Sequence, residues 1–114
     1  MHELSVTQHI VEIIIDTCQN NSIASVKKIF IEIGLLTTYE AEAIKYYFNL
    51  IKKNYTEIRD AIIVIKKKKV KYKCKRCHNK NMVEDLSALI CHRCGSSELE
   101  IIEGDKIKIT KLEV

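Results

Sequence analysis

The chain has 114 residues and a mass of 13.2 kDa, and its 46% hydrophobic and 30% charged residues exclude a disordered or low-complexity protein. Lys and Arg outnumber Asp and Glu by 19 to 15, but eight of the positive charges lie within residues 66–76. The remainder carries 11 basic against 15 acidic residues, so the chain is a mildly acidic body with one basic segment.

A helix followed by a strand is predicted at the start of the chain. Ile10, Ile13 and Ile14 recur at helical spacing, which predicts a helix over Leu4–Asn20. Isoleucines then occupy every second position from 29 to 33, which predicts a strand over Val26–Ile33.

A second helix is predicted to begin at a capping box. Thr37 and Glu40 have the T-x-x-E spacing, in which each side chain satisfies a free backbone N–H group at the helix start. We expect this helix to end near Lys52. Its apolar face is predicted to consist of Ile44, Tyr47, Phe48 and Ile51.

The next apolar run, Ala61–Ile65, is rich in β-branched residues and predicts a buried strand. Alternation continues from Val70 to Cys74 with lysines at every second position, so the basic segment is predicted to be the solvated face of a strand. A final strand, beginning near Ile107 and ending near Val114, is predicted to return to the first sheet.

Two C-x-x-C pairs, Cys74/Cys77 and Cys91/Cys94, are separated by thirteen residues. A spacing of two residues lets a tight turn direct both thiolates to one point, and two such turns complete the tetrahedron that Zn²⁺ prefers, with Zn–S bonds of about 2.3 Å. Gly95 suits the positive φ that such a turn often needs. The same sulfurs could instead hold iron. A segment of about thirty residues cannot form a core alone, so we expect the metal to fold it.

The flanks of the cysteine pairs leave some alternatives open. His78 and His92 are adjacent to predicted ligands and either replace a thiolate or are simply exposed. The C-x-x-C-H motif ending at His78 also matches haem attachment, but no signal peptide accompanies it. Residues 82–83 and 89–90 are predicted to be hairpin arms. The fifth cysteine, Cys18, is predicted to be a small buried hydrophobe.

Five cysteines without a leader sequence indicate a reducing compartment, and we expect a cytoplasmic protein. No stretch approaches about 18 consecutive apolar residues, so we expect no membrane span. The predicted fold class is α+β, with two helices on a small, about three-stranded sheet and an inserted zinc-ribbon module. The expected domains are an α/β domain of residues 1–70 and 104–114, and a zinc-ribbon domain of residues 71–103.

The amino-terminal sequence Met1-His2-Glu3 is a candidate chelate. A free α-amine, deprotonated backbone amides and an imidazole within two residues form fused small rings of strong in-plane nitrogen donors. Such donors favour square-planar Ni²⁺ or Cu²⁺. Taken alone, a terminal His is usually a solvated chain end, and Glu3 suits a helix N-terminus.

Several features in order resemble the hydrogenase-maturation nickel metallochaperones of the HypA/HybF family. These are the Met1-His2-Glu3 start, Gly34 before the second helix, the two C-x-x-C pairs, and the closing segment Gly104–Glu113 with apolar residues at 107, 109 and 112. The resemblance covers essentially the whole chain. The chain differs from many family members in having no proline, which removes no ligand.

This resemblance implies a carrier of Ni²⁺ that also contains a structural Zn²⁺. Nickel is then held by His2 with the Met1 amine and nearby amides, Glu3 takes part in nickel binding or partner contact, and the four cysteines bind zinc. The implied partners are a nickel-handling GTPase and the hydrogenase large subunit, with urease accessory proteins in some organisms. Glu40 and Glu42 are candidates for an extra nickel ligand. The oligomeric state, monomer or homodimer, stays open.

The alternative from another class is a zinc-ribbon nucleic-acid-binding protein, which the basic segment suggests. Tyr72 is the one aromatic residue beside that segment, and an acidic body repels phosphate, so we expect no nucleic-acid partner. An enzyme is also not expected. The chain is too short for a deep cleft, Cys18 has no evident His partner, and a closed four-thiolate site has no open coordination position.

Overall fold

The computed structural model describes residues 2–114, which form two α-helices and six strands. In chain order the elements are α1 (Glu3–Asn20), β1 (Lys28–Gly34), α2 (Ala41–Ile51), β2 (Ile62–Lys68), β3 (Val70–Cys74), β4 (Lys80–Val83), β5 (Leu99–Glu103) and β6 (Ile107–Glu113). Short 3₁₀ turns lie at Lys52–Asn54 and Leu86–Ala88. No helix among these residues is long and apolar enough to cross a bilayer. The predicted α+β class is confirmed.

The helix α1 packs its apolar face against α2. Ile10, Ile14 and Cys18 are buried, as their spacing predicts, but Ile13 is 44% exposed and lies at the margin of that face. Thr7 is also fully buried, and its hydroxyl donates to the Glu3 carbonyl at 2.6 Å, so its polar group is satisfied within the helix.

The predicted capping box at Thr37 is wrong. The helix α2 begins at Ala41 with Glu40 as its N-cap, and no side chain caps it from that position. The Thr37 hydroxyl and N–H both donate to the Gly34 carbonyl, at 2.8 and 3.0 Å, so Thr37 closes a turn after β1 instead of beginning the helix. The helix ends at Ile51, as its lysine-rich end predicts.

The first sheet has the strand order β2-β1-β6. The last strand therefore returns to the sheet of the first strands, as predicted. Lys27 N donates to the Glu113 carbonyl at 2.7 Å, and Ile62 N donates to the Lys27 carbonyl at 2.9 Å, so both neighbouring strands are fixed at the start of β1. On β1 the residues Ile29 and Ile31 are buried.

The second sheet is antiparallel, with the order β4-β3-β5. Tyr72 on the central strand lies opposite Asn81 of β4 and Ile101 of β5. The predicted arm at 82–83 lies in β4, but 89–90 is not a strand, and β5 was not predicted. The core of this sheet consists of Val70, Tyr72, Cys74, Val83 and Cys91.

The chain divides into two compact units. The helical unit consists of Met1–Ile31, Thr38–Lys66 and Lys108–Val114, and the cysteine unit consists of Glu32–Thr37 and Lys67–Ile107. The core of the helical unit is built by both helices and by the first sheet. It contains Ile10, Val11, Ile14, Ile15, Cys18, Val26, Ile29, Ile31, Ile44, Phe48, Ile58, Ala61 and Ile63.

Candidate metal centre

The first C-x-x-C pair forms a tight turn at the end of β3. His78 N donates to the Cys74 carbonyl at 3.0 Å and Cys77 N donates to the Cys74 sulfur at 3.5 Å. The turn closes at His78, which has a φ of 62°. A non-glycine residue in the left-handed region is uncommon and marks a backbone held by its surroundings.

The second pair repeats this turn. Gly95 N donates to the Cys91 carbonyl at 2.9 Å, and the N–H groups of Arg93 and Cys94 donate to the Cys91 sulfur at 3.4 and 3.5 Å. Gly95 has a φ of 76°, as the sequence predicted for this position. The two turns are therefore equivalent in their hydrogen bonds, and each directs its sulfurs toward the other.

The structure brings all four cysteines of the two pairs together. Their sulfur atoms lie within 4.8 Å of one another, with Cys74 and Cys94 at 3.6 Å and Cys77 and Cys91 at 3.5 Å. A tetrahedron of sulfurs around a metal with bonds of about 2.3 Å has edges of about 3.8 Å. This group of donor atoms can therefore hold a metal ion with little movement.

Hydrogen bonds and burial shift the pKa values of Cys74, Cys77 and Cys91. The Cys94 N–H, followed by that of Arg93, lowers the pKa of Cys91 to about 6. The pKa of Cys74 is lowered in the same way, first by the Cys77 N–H. For Cys77 the backbone N–H of Asn79 acts to lower the pKa, but burial and the neighbouring thiols raise it to about 11. Cys74 and Cys91 are thus held closer to the thiolate form than a free thiol is.

A buried tyrosine supports the second turn. The Tyr72 hydroxyl accepts a hydrogen bond from His92 N at 3.0 Å, and the two rings make an edge contact with centroids 6.1 Å apart. The His92 Nδ1 atom is engaged by Asn81 Nδ2 at 3.3 Å. Alternation along the strand predicts that Tyr72 is buried but does not show which group its hydroxyl bonds, so this contact could not be predicted from the sequence.

The amino-terminal candidates lie in the helical unit. Met1 lies outside the described residues, His2 is exposed and Glu3 is buried. The Glu3 carboxylate accepts from His2 N at 3.1 Å and from Glu40 N at 2.9 Å. This single side chain therefore joins the start of α1 to the N-cap of α2. The sequence gives no signal for this contact, because the two residues are 37 positions apart.

The candidate oxygen donors of α2 differ in their placement. Glu40 and Glu42 are both exposed. Of these two residues, Glu40 contacts Glu3, because its backbone N–H donates to the Glu3 carboxylate. Glu42 pairs with Lys45 at 3.6 Å on the helix surface.

Part of the basic segment is neutralised by ion pairs. Lys68 lies 3.8 Å from Glu32 and 3.7 Å from Glu103, and Lys69 pairs with Glu84. Fewer of its charges are therefore available to phosphate than the sequence count indicates.

Comparison with known proteins gives one consistent family. The model of the family described as HypA, hydrogenase/urease nickel incorporation, metallochaperone, matches residues 1–114. A hydrogenase maturation factor HypA from Crocosphaera subtropica is 35% identical over 115 residues, covering 100% of this chain and 96% of the relative. The protein of the same name from Caldanaerobacter subterraneus is 37% identical over 115 residues, covering 100% of this chain and 99% of the relative.

A solved structure supports the fold. The solution structure of the Ni metallochaperone HypA from Helicobacter pylori superposes with a TM-score of 0.76 at 23% identity, covering 99% of this chain and 97% of that chain. This likeness shows a common fold for the two proteins.

Proposed function

Because the chain belongs to the HypA family of metallochaperones for nickel incorporation into hydrogenase and urease, we propose that it binds Ni²⁺ at its amino terminus and delivers the ion for the maturation of nickel–iron hydrogenase. The observation that carries this proposal is the match of the family over the whole chain, which includes the Met1-His2-Glu3 start. The protein acts by binding and release and is not an enzyme.

The resident metal is Zn²⁺ at Cys74, Cys77, Cys91 and Cys94. The spacing of the sulfurs fits a zinc tetrahedron, and the N–H groups directed at Cys74 and Cys91 stabilise the thiolate form that binds the ion. Zinc would supply folding energy to the cysteine unit and no chemistry, because four thiolates fill its coordination sphere.

Nickel is proposed to bind through the Met1 amine, backbone amides and the His2 imidazole, with Glu3 beside it. The Glu3 carboxylate lies at this place, where it accepts hydrogen bonds from His2 N and from Glu40 N. The exposed His2 side chain is open to an incoming ion. Binding through a deprotonated His2 amide would remove the proton that now bonds Glu3, so nickel binding and the Glu3–His2 hydrogen bond exclude each other.

Delivery requires a nickel site that another protein can reach. An exposed chain end satisfies this requirement without unfolding the carrier. A site of micromolar affinity corresponds to about 8 kcal/mol, which the better ligand set of an acceptor can exceed. The proposed partners are a nickel-handling GTPase and the hydrogenase large subunit, and urease accessory proteins where urease is served.

A nickel titration tests the amino-terminal site. Untagged protein, His2→Ala, a version with residues added before Met1, and His9→Ala are each titrated with Ni²⁺ in a calorimeter. His9 is an exposed histidine further along α1 and serves as the matched control. We expect the untagged protein and His9→Ala to bind alike and the other two to lose tight binding. Equal binding by all four would refute the site. Metal analysis of the untreated protein is expected to give about one zinc per chain.

A further inference from the structure

The four cysteines of the metal centre differ in their exposure to solvent. Cys74 and Cys91 are buried and Cys77 is half-buried, whereas Cys94 is exposed. The susceptibility of a cysteine to oxidation follows its thiolate character and its exposure. Thiolates that hold a metal are all deprotonated, so exposure is what separates these four sulfurs. Cys94 is therefore the cysteine that a small oxidant in solution reaches first.

Two close sulfur contacts run from one turn to the other. The Cys94 sulfur lies 3.6 Å from that of Cys74, and the Cys77 sulfur lies 3.5 Å from that of Cys91. The S–S bond of a disulfide is about 2.05 Å long, so the sulfurs of each pair need to approach by about 1.5 Å. Each of the four cysteines thus has one near partner in the opposite turn.

The surroundings of the sulfurs favour disulfides that join the turns. Cys74 and Cys91 belong to the core of the second sheet, together with Val70, Tyr72 and Val83. A thiolate without its ion would be a buried charge in this core, whereas a disulfide is neutral. Two disulfides between the turns would also keep the turns connected in place of the ion. Disulfides within each turn would leave the two turns unconnected.

We propose that Cys94 is an oxidation site at which a hydroperoxide converts the metal centre into two disulfides, one between Cys74 and Cys94 and one between Cys77 and Cys91. The ion is released and the cysteine unit stays folded. This inference rests on the zinc site proposed above. It gives the cysteine unit two cross-linked states, one held by the ion and one held by disulfides.

The steps balance for two equivalents of hydrogen peroxide per chain. The Cys94 thiolate attacks one peroxide oxygen, the O–O bond breaks, and a sulfenic acid forms while hydroxide leaves. The Cys74 thiolate then attacks the Cys94 sulfur, the S–S bond forms, and a second hydroxide leaves. Cys77 and Cys91 react with the second equivalent in the same way. Each disulfide gives two electrons to one peroxide, solvent protons convert the hydroxides to water, and Zn²⁺ leaves with its charge unchanged.

Peptide mapping tests which disulfides form. Trypsin cleaves after Lys and Arg, and such residues at 27, 73, 75, 76, 80, 93 and 106 place the five cysteines on five separate peptides. The zinc-loaded full chain is treated with hydrogen peroxide, its remaining thiols are blocked, and it is denatured and digested. We expect linked peptides that pair Cys74 with Cys94 and Cys77 with Cys91. Disulfides within each turn, or a sulfinic acid at Cys94 without a disulfide, would overturn the proposal.

Trapping of the sulfenic acid tests the order of reaction in the unaltered chain. Dimedone is present while less than one equivalent of peroxide is added, and the same digestion locates the label. We expect at least about tenfold more label on the peptide 94–106 than on any other, because exposure controls the first step. Cys18 is the internal control, since it is a buried thiol outside the metal centre and is expected to stay reduced. Label spread evenly over the four peptides of the centre would remove Cys94 as the first site.

A comparison of two zinc-free forms tests whether the disulfides replace the ion. One sample loses zinc to peroxide and the other to a chelator under reducing conditions. We expect dispersed amide signals of Val70 and Tyr72 in the oxidised sample and their loss in the chelated one, because only the first retains cross-links between the turns. Loss of these signals in both samples would overturn the retention of the fold.

Zinc analysis of the reduced protein keeps this inference separate from the proposed zinc site. A zinc content near zero there would refute the zinc site and with it the release of the ion. Within-turn disulfides in a protein that does contain zinc would refute the oxidation proposal alone. Reduction of the oxidised sample with dithiothreitol in the presence of Zn²⁺ is expected to restore the zinc content of the starting protein, and failure to do so would contradict two interchangeable states.

Discussion

The substitution Gly34→Ala is expected to destabilise the cysteine unit strongly, although Gly34 does not need a positive φ. A Cβ atom at Gly34 would lie 2.2 Å from both the carbonyl carbon and the oxygen of Gly104. These are backbone atoms, so no change of rotamer relieves the overlap. The two segments are also joined by Gly34 N bonding the Lys106 carbonyl at 2.9 Å and Leu36 N bonding the Gly104 carbonyl at 2.8 Å.

The magnitude follows from these contacts. Separating the backbones far enough to admit a methyl group breaks both hydrogen bonds, each of which contributes about 1 kcal/mol. Overpacking of a close contact costs a further 1–3 kcal/mol, roughly. We therefore expect a loss of about 3–5 kcal/mol, a large part of the stability of a small domain.

Urea unfolding of the zinc-loaded protein measures this loss, with the amide signals of Val70 and Tyr72 reporting on the cysteine unit. The matched control is Gly95→Ala. A Cβ atom at Gly95 meets nothing within 4 Å, and the φ of 76° alone gives a cost of about 1–2 kcal/mol. Equal losses for the two variants would show that the close approach of Gly34 and Gly104 does not limit the stability of the cysteine unit.

Three further predictions address single groups. Cys91→Ser is expected to lower bound zinc well below one per chain and to unfold the cysteine unit while the helical circular dichroism persists, and full zinc content would contradict it. Burial, and next the charge of Glu57, raises the pKa of Cys18 in the folded protein. The contribution of this thiol to the free energy of unfolding is therefore full below the unfolded thiol pKa of about 8.5 and falls as pH rises above that value. Unfolding midpoints between pH 8 and 10 are expected to fall less steeply in Cys18→Ala than in the parent. Tyr72→Phe removes the acceptor of His92 N and is expected to cost about 1 kcal/mol in urea unfolding with zinc content unchanged.

The sequence predicted those parts of the fold that local pattern determines. Period-two isoleucines identified β1, and the two C-x-x-C pairs identified the cysteines that converge. The predicted start of α2 was wrong because the Thr37 hydroxyl can either cap a helix or close a turn. In the structure it closes a turn by donating to the Gly34 carbonyl. Local sequence does not distinguish a turn from a capping box when both need a threonine at that place.

Contacts between residues far apart in the chain cannot be predicted from local sequence pattern. The bond from Glu40 N to the Glu3 carboxylate depends on how α1 and α2 pack, and the tight approach of Gly34 to Gly104 depends on two segments 70 positions apart. The strand β5 was missed because Leu99–Glu103 is short and becomes a strand only by pairing with β3. Each of these features is fixed by tertiary structure, which overrides weak local preference.

The proposed division between two metals follows from the accessibility of their ligands. Cys74 and Cys91 are buried at 0% and 1% exposure, and hydrogen bonds from their own turns reach their sulfurs. Cys77 is half-buried and Cys94 is exposed, so the site is not sealed from solvent, but an ion held by all four sulfurs joins the two turns and its release is coupled to unfolding of the cysteine unit. His2 is exposed and is held through Glu3 to the start of α2. An ion at His2 can pass to an acceptor while the fold stays closed, which is the property that a carrier needs and that a structural site must lack.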